Sequence, residues 1–450
     1  MNIILFIQMV LAAIGAVFIY TLIGFIPGTD ETSVLMPITL SVVLAGIPPI
    51  IVLTFFIAAI VTLNLTNAIP TALVGLPGGV MSSPMMEFSL FLKDKGLSPL
   101  VIKKMAAGSL IGVLVSLPTS LLLANFLSSY SERISTYAPL LFLIGSIFLA
   151  LMGRNKILSL LSILPLSLLF MGLRYLYWGI GIVPEGTNVT VSFFLGITIG
   201  PLVLSLLSLL NKTKGQSMIR NEIKKIIIPK YIMVDTLNPF KIMTREEIKR
   251  ACMAALIVNF LFVLSPVGLT ILFGELAANR VQDPIDRANT AIATMASLTQ
   301  STYLSGIIIP LIAIGIPLSP IAIGPGAALF NAPPVFTINN NLHHILDKKE
   351  LIIGIITGAV LAIGTTYFVA SKFATNISTF VLKRIPHEAV LSLFISFILL
   401  LAYLDAGLIN IFGVLLIGIT SGTLNKMGVS YGVQFMTLYA APWILEKFPY

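Results

Sequence analysis

The chain has 450 residues, 57% of them apolar and only 10% charged, with a mean hydropathy of +1.01. Soluble domains carry roughly 25% charge, so this composition sets aside nucleic-acid binders, cytosolic enzymes and secreted disulfide scaffolds. The net charge of +9 then reads as the Lys and Arg excess of cytoplasmic loops, and a single cysteine, Cys252, rules out an intrachain disulfide or a thiolate cluster.

The N-terminus, Met1-Asn2-Ile3-Ile4-Leu5, has no basic region, so the first apolar stretch (2–26) reads as a membrane helix and not as a cleaved signal. Pro27-Gly28 ends it. Asp30 and Glu31 follow, and the sequence places them in an aqueous loop between the first two spans. Inside the bilayer each would cost at least about 2.5–3.5 kcal/mol at the centre and would count as a coupling carboxylate. Apolar runs then fall at 34–47, 49–65, 105–127, 136–152, 157–178, 189–210, 251–276, 290–309, 351–375, 389–404, 407–421 and 428–445. At about 20 residues per helical span, the chain predicts an all-α polytopic membrane protein with about 10–12 transmembrane helices. Long unbroken apolar runs do not fit the ten-residue alternation of a β-barrel.

Basic residues orient the chain. Lys93, Lys95, Lys103 and Lys104 share one loop, and Arg154 and Lys156 mark the connection two spans later. The segment 212–250 carries ten basic residues against four acids, and Lys383, Arg384 and Lys426 mark later connections. Placing all of these in the cytoplasm fits the positive-inside bias. It divides the chain into a first membrane unit (1–211), a basic cytoplasmic linker (212–250) and a second membrane unit (251–450).

The two units share a motif. Ile69-Pro70-Thr71-Ala72-Leu73-Val74-Gly75-Leu76-Pro77 aligns without a gap on Ile309-Pro310-Leu311-Ile312-Ala313-Ile314-Gly315-Ile316-Pro317, an offset of 240 residues. Both read I-P-x-x-x-x-G-x-P. Two prolines seven apart, with glycine between, break a helix by removing amide donors and clashing with the preceding turn. Irregular backbone at membrane depth is tolerated only where protein buries it or a polar cavity receives it. Matched interruptions in two halves therefore point to a transporter's binding site. The loop after the first copy is strongly basic, whereas Asp347, Lys348, Lys349 and Glu350 after the second cancel to zero. One copy then ends inside and the other outside, as inverted repeats require.

Short polar runs adjoin each break: Asn64, Thr66 and Asn67 before the first and Thr299, Gln300, Ser301 and Thr302 before the second. Their oxygens suit a dehydrated Na⁺. The amides at Gly78, Ser82, Ser83 and Ser319 stand where half-helix N-termini would receive a carboxylate. Gly75, Pro77, Gly315 and Pro317 form the breaks themselves. No Lys or Arg lies within either break, so a substrate anion would be held by helix ends, hydroxyls and amides. The sequence has no phosphate-binding G-x-x-x-x-G-K-[ST] loop. His343-His344 reads as part of a solvated loop, and no metal site or cofactor is expected beyond Na⁺ or H⁺ as coupling ion.

Three regions resemble the TctA family, the large membrane subunit of tripartite tricarboxylate transporters: Ile26-Pro27-Gly28, Leu73-Val74-Gly75-Leu76-Pro77-Gly78, and Ile309 to Ser319 with its I-P-L-x-x-x-G-I-P-x-S pattern. Leu318 stands where that family prefers glycine. The resemblance implies a secondary carrier for small carboxylates in the cytoplasmic membrane, working with a small membrane subunit and an extracytoplasmic solute-binding protein. The expected function is ion-coupled alternating access. A stand-alone cation-coupled antiporter is the alternative, a membrane enzyme or channel fits less well, and a homo-oligomer stays open.

Overall fold

Apolar runs this long fold as helices because a membrane offers backbone amides no other partner. The computed structural model describes residues 2–447 apart from 27, 28, 30, 75–77, 154, 186–188, 210–235, 280, 385 and 386. The first unit comprises α1 (Ile3–Gly24), α2 (Glu31–Leu44), α3 (Pro49–Thr66), α4 (Ile69–Val74), a 3₁₀ turn (Val80–Met85), α5 (Met86–Asp94), α6 (Ser98–Leu127), α7 (Ser131–Thr136), α8 (Ala138–Met152), α9 (Lys156–Gly179) and α10 (Thr190–Leu209). The second comprises α11 (Pro239–Ile242), α12 (Arg245–Asn259), α13 (Pro266–Ala278), α14 (Pro284–Ala313), α15 (Pro320–Ile323), α16 (Ala327–Phe330), α17 (Leu342–Ile345), α18 (Lys348–Arg384), α19 (His387–Lys426) and α20 (Tyr431–Glu446). Among the described residues, seven helices are long and apolar enough to cross a membrane.

Two of those seven stand apart. In its most apolar 18-residue stretch, Pro49–Leu73 has 94% of residues buried within the protein and Pro284–Ala313 has 100%, against 28–44% for the other five. They lead into the two copies of the repeated motif. The remaining long helices form a shell whose outer faces carry exposed Leu, Ile and Phe side chains, such as Leu122, Leu161 and Phe412, as lipid contact demands.

The shell helices grip the two central ones through glycine pairs. A side-chain carbon added at Gly108 or Gly112 of α6 would collide with the carbonyl oxygens of Ala293 and Ser297 on α14. On α18, a carbon added at Gly358 would stand 2.6 Å from the Thr54 carbonyl of α3. A third contact pairs Gly196 and Gly200 of α10 with Gly418 and Gly422 of α19, where Gly200 and Gly422 meet backbone to backbone. In hydrocarbon no hydrophobic force joins helices, so close backbone approach between small residues supplies the packing. All of these glycines lie in G-x-x-x-G spacing.

One predicted span splits and two others are joined. The run 251–276 is not one helix. It forms α12 and α13, of 15 and 13 residues, about 20–23 Å each at 1.5 Å per residue and short of a bilayer core of about 30 Å. Ser265 and Pro266 cause the break: Ser265 Oγ accepts the Gly268 amide at 3.3 Å, and proline starts the new helix where it lacks an amide to donate. Runs 389–404 and 407–421 meet within α19 at a sharp turn through Ala406 and Gly407, where Gly407 takes φ 73°. Asn410 Nδ2 donates back across that turn to the Ala402 carbonyl at 2.7 Å.

Of the basic segment 212–250, the part from 236 onward packs against the membrane helices, and 210–235 lies outside the described residues. Ile242 and Met243 are buried with Ala107, Ile111 and Ala293. Lys103 Nζ donates to the Thr236 carbonyl at 3.0 Å. Lys104 is buried and paired with Glu247, at 2.5 and 2.7 Å to its two oxygens. Glu247 is held in turn by a capping box with Thr244.

Replacing Gly112 with Val should overpack the α6–α14 contact and lower stability by about 1–3 kcal/mol. Gly364→Ala, where an added carbon meets nothing within 4 Å inside a helix, should hold stability or raise it by up to about 1 kcal/mol. Thermal unfolding of both variants in detergent checks this.

Candidate substrate and ion site

At the first break, helix α3 ends at Thr66 and the chain restarts as α4 at Ile69. Gly75 and Pro77 lie outside the described residues, as does Asp30. Beyond them the chain doubles back, and the Gly78 amide donates to the Asn67 carbonyl at 3.1 Å. Gly78 and Gly79 permit that approach: a side chain at Gly78 would enter the Asn67 backbone, and one at Gly79 would strike the Glu31 carboxylate.

Glu31 corrects the reading of an aqueous loop. It opens α2 and is only 1% exposed. The amides of Val80 and Met81 donate to its two oxygens at 3.1 and 3.3 Å, and Asn67 Nδ2 donates at 3.4 Å. A carboxylate that receives several N–H donors can be buried, because those bonds replace its hydration. The amides that begin the 3₁₀ turn, where a substrate carboxylate was expected, thus receive the protein's own carboxylate in this conformation. Asn67 Nδ2 also reaches the Thr29 carbonyl at 3.3 Å. Ser82 Oγ accepts the Gly79 amide at 3.2 Å, whereas Ser83 is more exposed and donates to the Gly79 carbonyl at 3.4 Å.

The second break is built differently. Helix α14 runs through Pro310 and stops at Ala313, where Gly315 adopts φ 76°. Pro310 has no amide, so the Gly306 carbonyl four residues earlier loses its helical partner. Ser319 Oγ donates to that carbonyl at 2.5 Å and accepts the Ala322 amide at 3.0 Å, capping α15. Asn341 Nδ2 donates to the Gly315 carbonyl at 2.8 Å. His343 is no solvated residue: its ring packs on Gly315 and its Nδ1 donates to the Leu311 carbonyl at 2.9 Å. Burial pushes the imidazole below the usual histidine range, opposed by that bond. Pro317 is buried between these contacts.

The hydroxyls before the second break mostly serve their own helix. Thr299, Ser301 and Thr302 donate to the carbonyls of Ala296, Ser297 and Leu298 at 2.8–2.9 Å. Thr66 donates to Thr62 and also to Tyr20 of α1. Gln300 reaches out instead. Its Nε2 donates to the Val61 carbonyl of α3 at 2.9 Å, joining the two central helices, while its Oε1 has no hydrogen-bond partner. One turn beyond Val61, both polar atoms of Asn64 lack a partner although the residue is 3% exposed. An unpaired buried polar atom costs about 1–3 kcal/mol, and Asn64 of α3 and Gln300 of α14 together carry three of them, two on Asn64 and one on Gln300.

Sequence reasoning missed Thr29 and Asn341 as parts of the breaks, and the glycine pairs that position α3 and α14. Only the glycines carried a signal, their four-residue spacing. Among the described residues no three His, Cys, Asp or Glu side chains gather as a metal site. Elsewhere on the helices, Glu87, Glu275 and Asp405 are exposed and Arg174 is half-buried.

A family model, the tripartite tricarboxylate transporter TctA family, matches residues 10–434. The chain belongs to this family. It is a membrane component of a transporter and not an enzyme. Comparison with curated proteins and with solved structures finds no match.

Ser319→Ala should destabilise the protein by about 1–3 kcal/mol, by leaving the Gly306 carbonyl and the Ala322 amide unpaired. In a Pro310→Ala background the restored amide reaches Gly306, so the same substitution should cost less. A double-mutant cycle of unfolding free energies reads the difference.

Proposed function

We propose that this TctA-family chain is the permease of an ion-coupled carrier that moves a small carboxylate across the cytoplasmic membrane by alternating access. The observation that carries the reading is that the two helices leading into the repeated breaks are also the two most buried spans. Buried, irregular backbone in matched positions of two halves is the arrangement of carriers whose site lies near the midplane.

The packing supports an internal two-fold relation. Helix α18 of the second unit grips α3 of the first, and α6 of the first grips α14 of the second. The gripped carbonyls, Thr54 and Ala293, lie 239 residues apart, within one residue of the offset between the motif copies. Each unit thus clasps the broken helix of the other. Rocking one pair against the other would open the site alternately to either side, with the Lys- and Arg-rich loops in the cytoplasm.

The chemistry favours a carboxylate held by neutral groups. The Val80 and Met81 amides of the first break, which donate to the Glu31 carboxylate, support this reading. Partner subunits follow from the tripartite organisation named by the family: a small membrane subunit, and a binding protein that delivers substrate from outside.

Proteoliposomes containing the chain, its small membrane subunit and its binding protein should show saturable, gradient-driven uptake of di- or tricarboxylates. Pro317→Ala should reduce that uptake at least tenfold with protein levels unchanged. Absence of gradient-dependent counterflow with every carboxylate tried would overturn the proposal.

A further inference from the structure

We propose that Asn64 and Gln300 form a Na⁺ site between the two central helices. The inference rests on the carrier reading, and adds the identity and place of the coupling ion. The juxtaposition is geometric. Gln300 of α14 is tied by its Nε2 to the Val61 carbonyl of α3, and Asn64 lies three residues further along α3, on the same face. Helical side chains lean toward the N-terminus, so the Asn64 amide lies over the turn that holds Val61. Gln300 thus binds the carbonyl one turn before Asn64 on α3, and both residues are enclosed, Asn64 at 3% and Gln300 at 0% exposed.

The unpaired atoms set the chemistry. Gln300 is fixed by its single hydrogen bond, which leaves Oε1 turned away from any donor. Asn64 has no bond to fix its flip, so its Oδ1 is free to face the same point. Two amide oxygens in a dry setting are hard donors that suit an alkali cation and not a transition metal. Asn67, one turn beyond Asn64, donates to Glu31, so a carboxylate charge lies close by and favours a cation here. Gly112 of α6 packs against the Gln300 Cβ, which clamps the donor in place. Water completes the shell in the empty carrier and an oxygen of the substrate carboxylate replaces it when substrate binds, and that exchange is how ion binding and substrate binding become coupled.

The test uses purified full-length protein in detergent, titrated with NaCl against choline chloride at constant ionic strength and without any carboxylate. Wild type should show a saturable rise in unfolding temperature with Na⁺ only. Asn64→Leu removes both unpaired atoms and keeps the volume. It should match or exceed wild-type stability in choline yet lose the Na⁺ response, with half-saturation raised at least tenfold. Asn64→Asp keeps an oxygen donor and should retain the response. A wild type indifferent to Na⁺, or an Asn64→Leu variant that responds as wild type does, overturns the site and leaves the amides bridged by water. The carrier reading is read separately: counterflow driven by a proton gradient and indifferent to Na⁺ would keep the carrier and remove this site. A Na⁺ response without carboxylate flux would do the reverse.

Discussion

A backbone group released from its helix inside a bilayer has no water to bind, so every break must be repaired by the protein itself. That constraint organises both halves of this chain. At the second break, Ser319 takes the Gly306 carbonyl that Pro310 leaves without a donor, Asn341 takes Gly315, and His343 takes Leu311. At the first, Gly78 returns to Asn67, and Glu31 receives the amides of Val80 and Met81. The repairs come from residues up to 50 positions away, so each break locks distant segments together.

The two repairs differ in charge. The second is neutral throughout, built on a serine, an asparagine and an uncharged histidine. The first uses a carboxylate. The two breaks therefore present unequal surroundings, and the amides of the first hold the Glu31 carboxylate. Around them the shell is uniform in principle: glycine pairs press α6 on α14 and α18 on α3, bringing backbone against backbone where side-chain burial offers no driving force.

How much of this was legible in the sequence follows from the range of each interaction. Proline and glycine act locally, so the helix end near Gly315 and the interruption around Asn67 to Gly78 could be read directly. The buried ends of helices α3 and α14 follow from the same motif. Glu31 could not be placed: its two amide donors lie 49 and 50 residues on, and without them a carboxylate belongs in water. Asn341 and His343 read as loop residues because their acceptors lie 26 and 32 positions back. The run 251–276 was misjudged because apolar composition alone does not reveal that Ser265 and Pro266 begin a new helix. The hydroxyls of Thr299, Ser301 and Thr302 donate to the preceding turn of α14, a local bond that leaves their oxygen lone pairs available.

The central claim is that the two breaks belong to inverted halves and face opposite sides of the membrane. Cysteine labelling tests it most directly. In a Cys252→Ser background, Ser83→Cys and Val335→Cys each place one thiol on an exposed or partly exposed position beside a break. A membrane-impermeant maleimide added outside intact cells should label the second and spare the first, with the reverse in inside-out vesicles. Labelling of both from the same side would contradict the account.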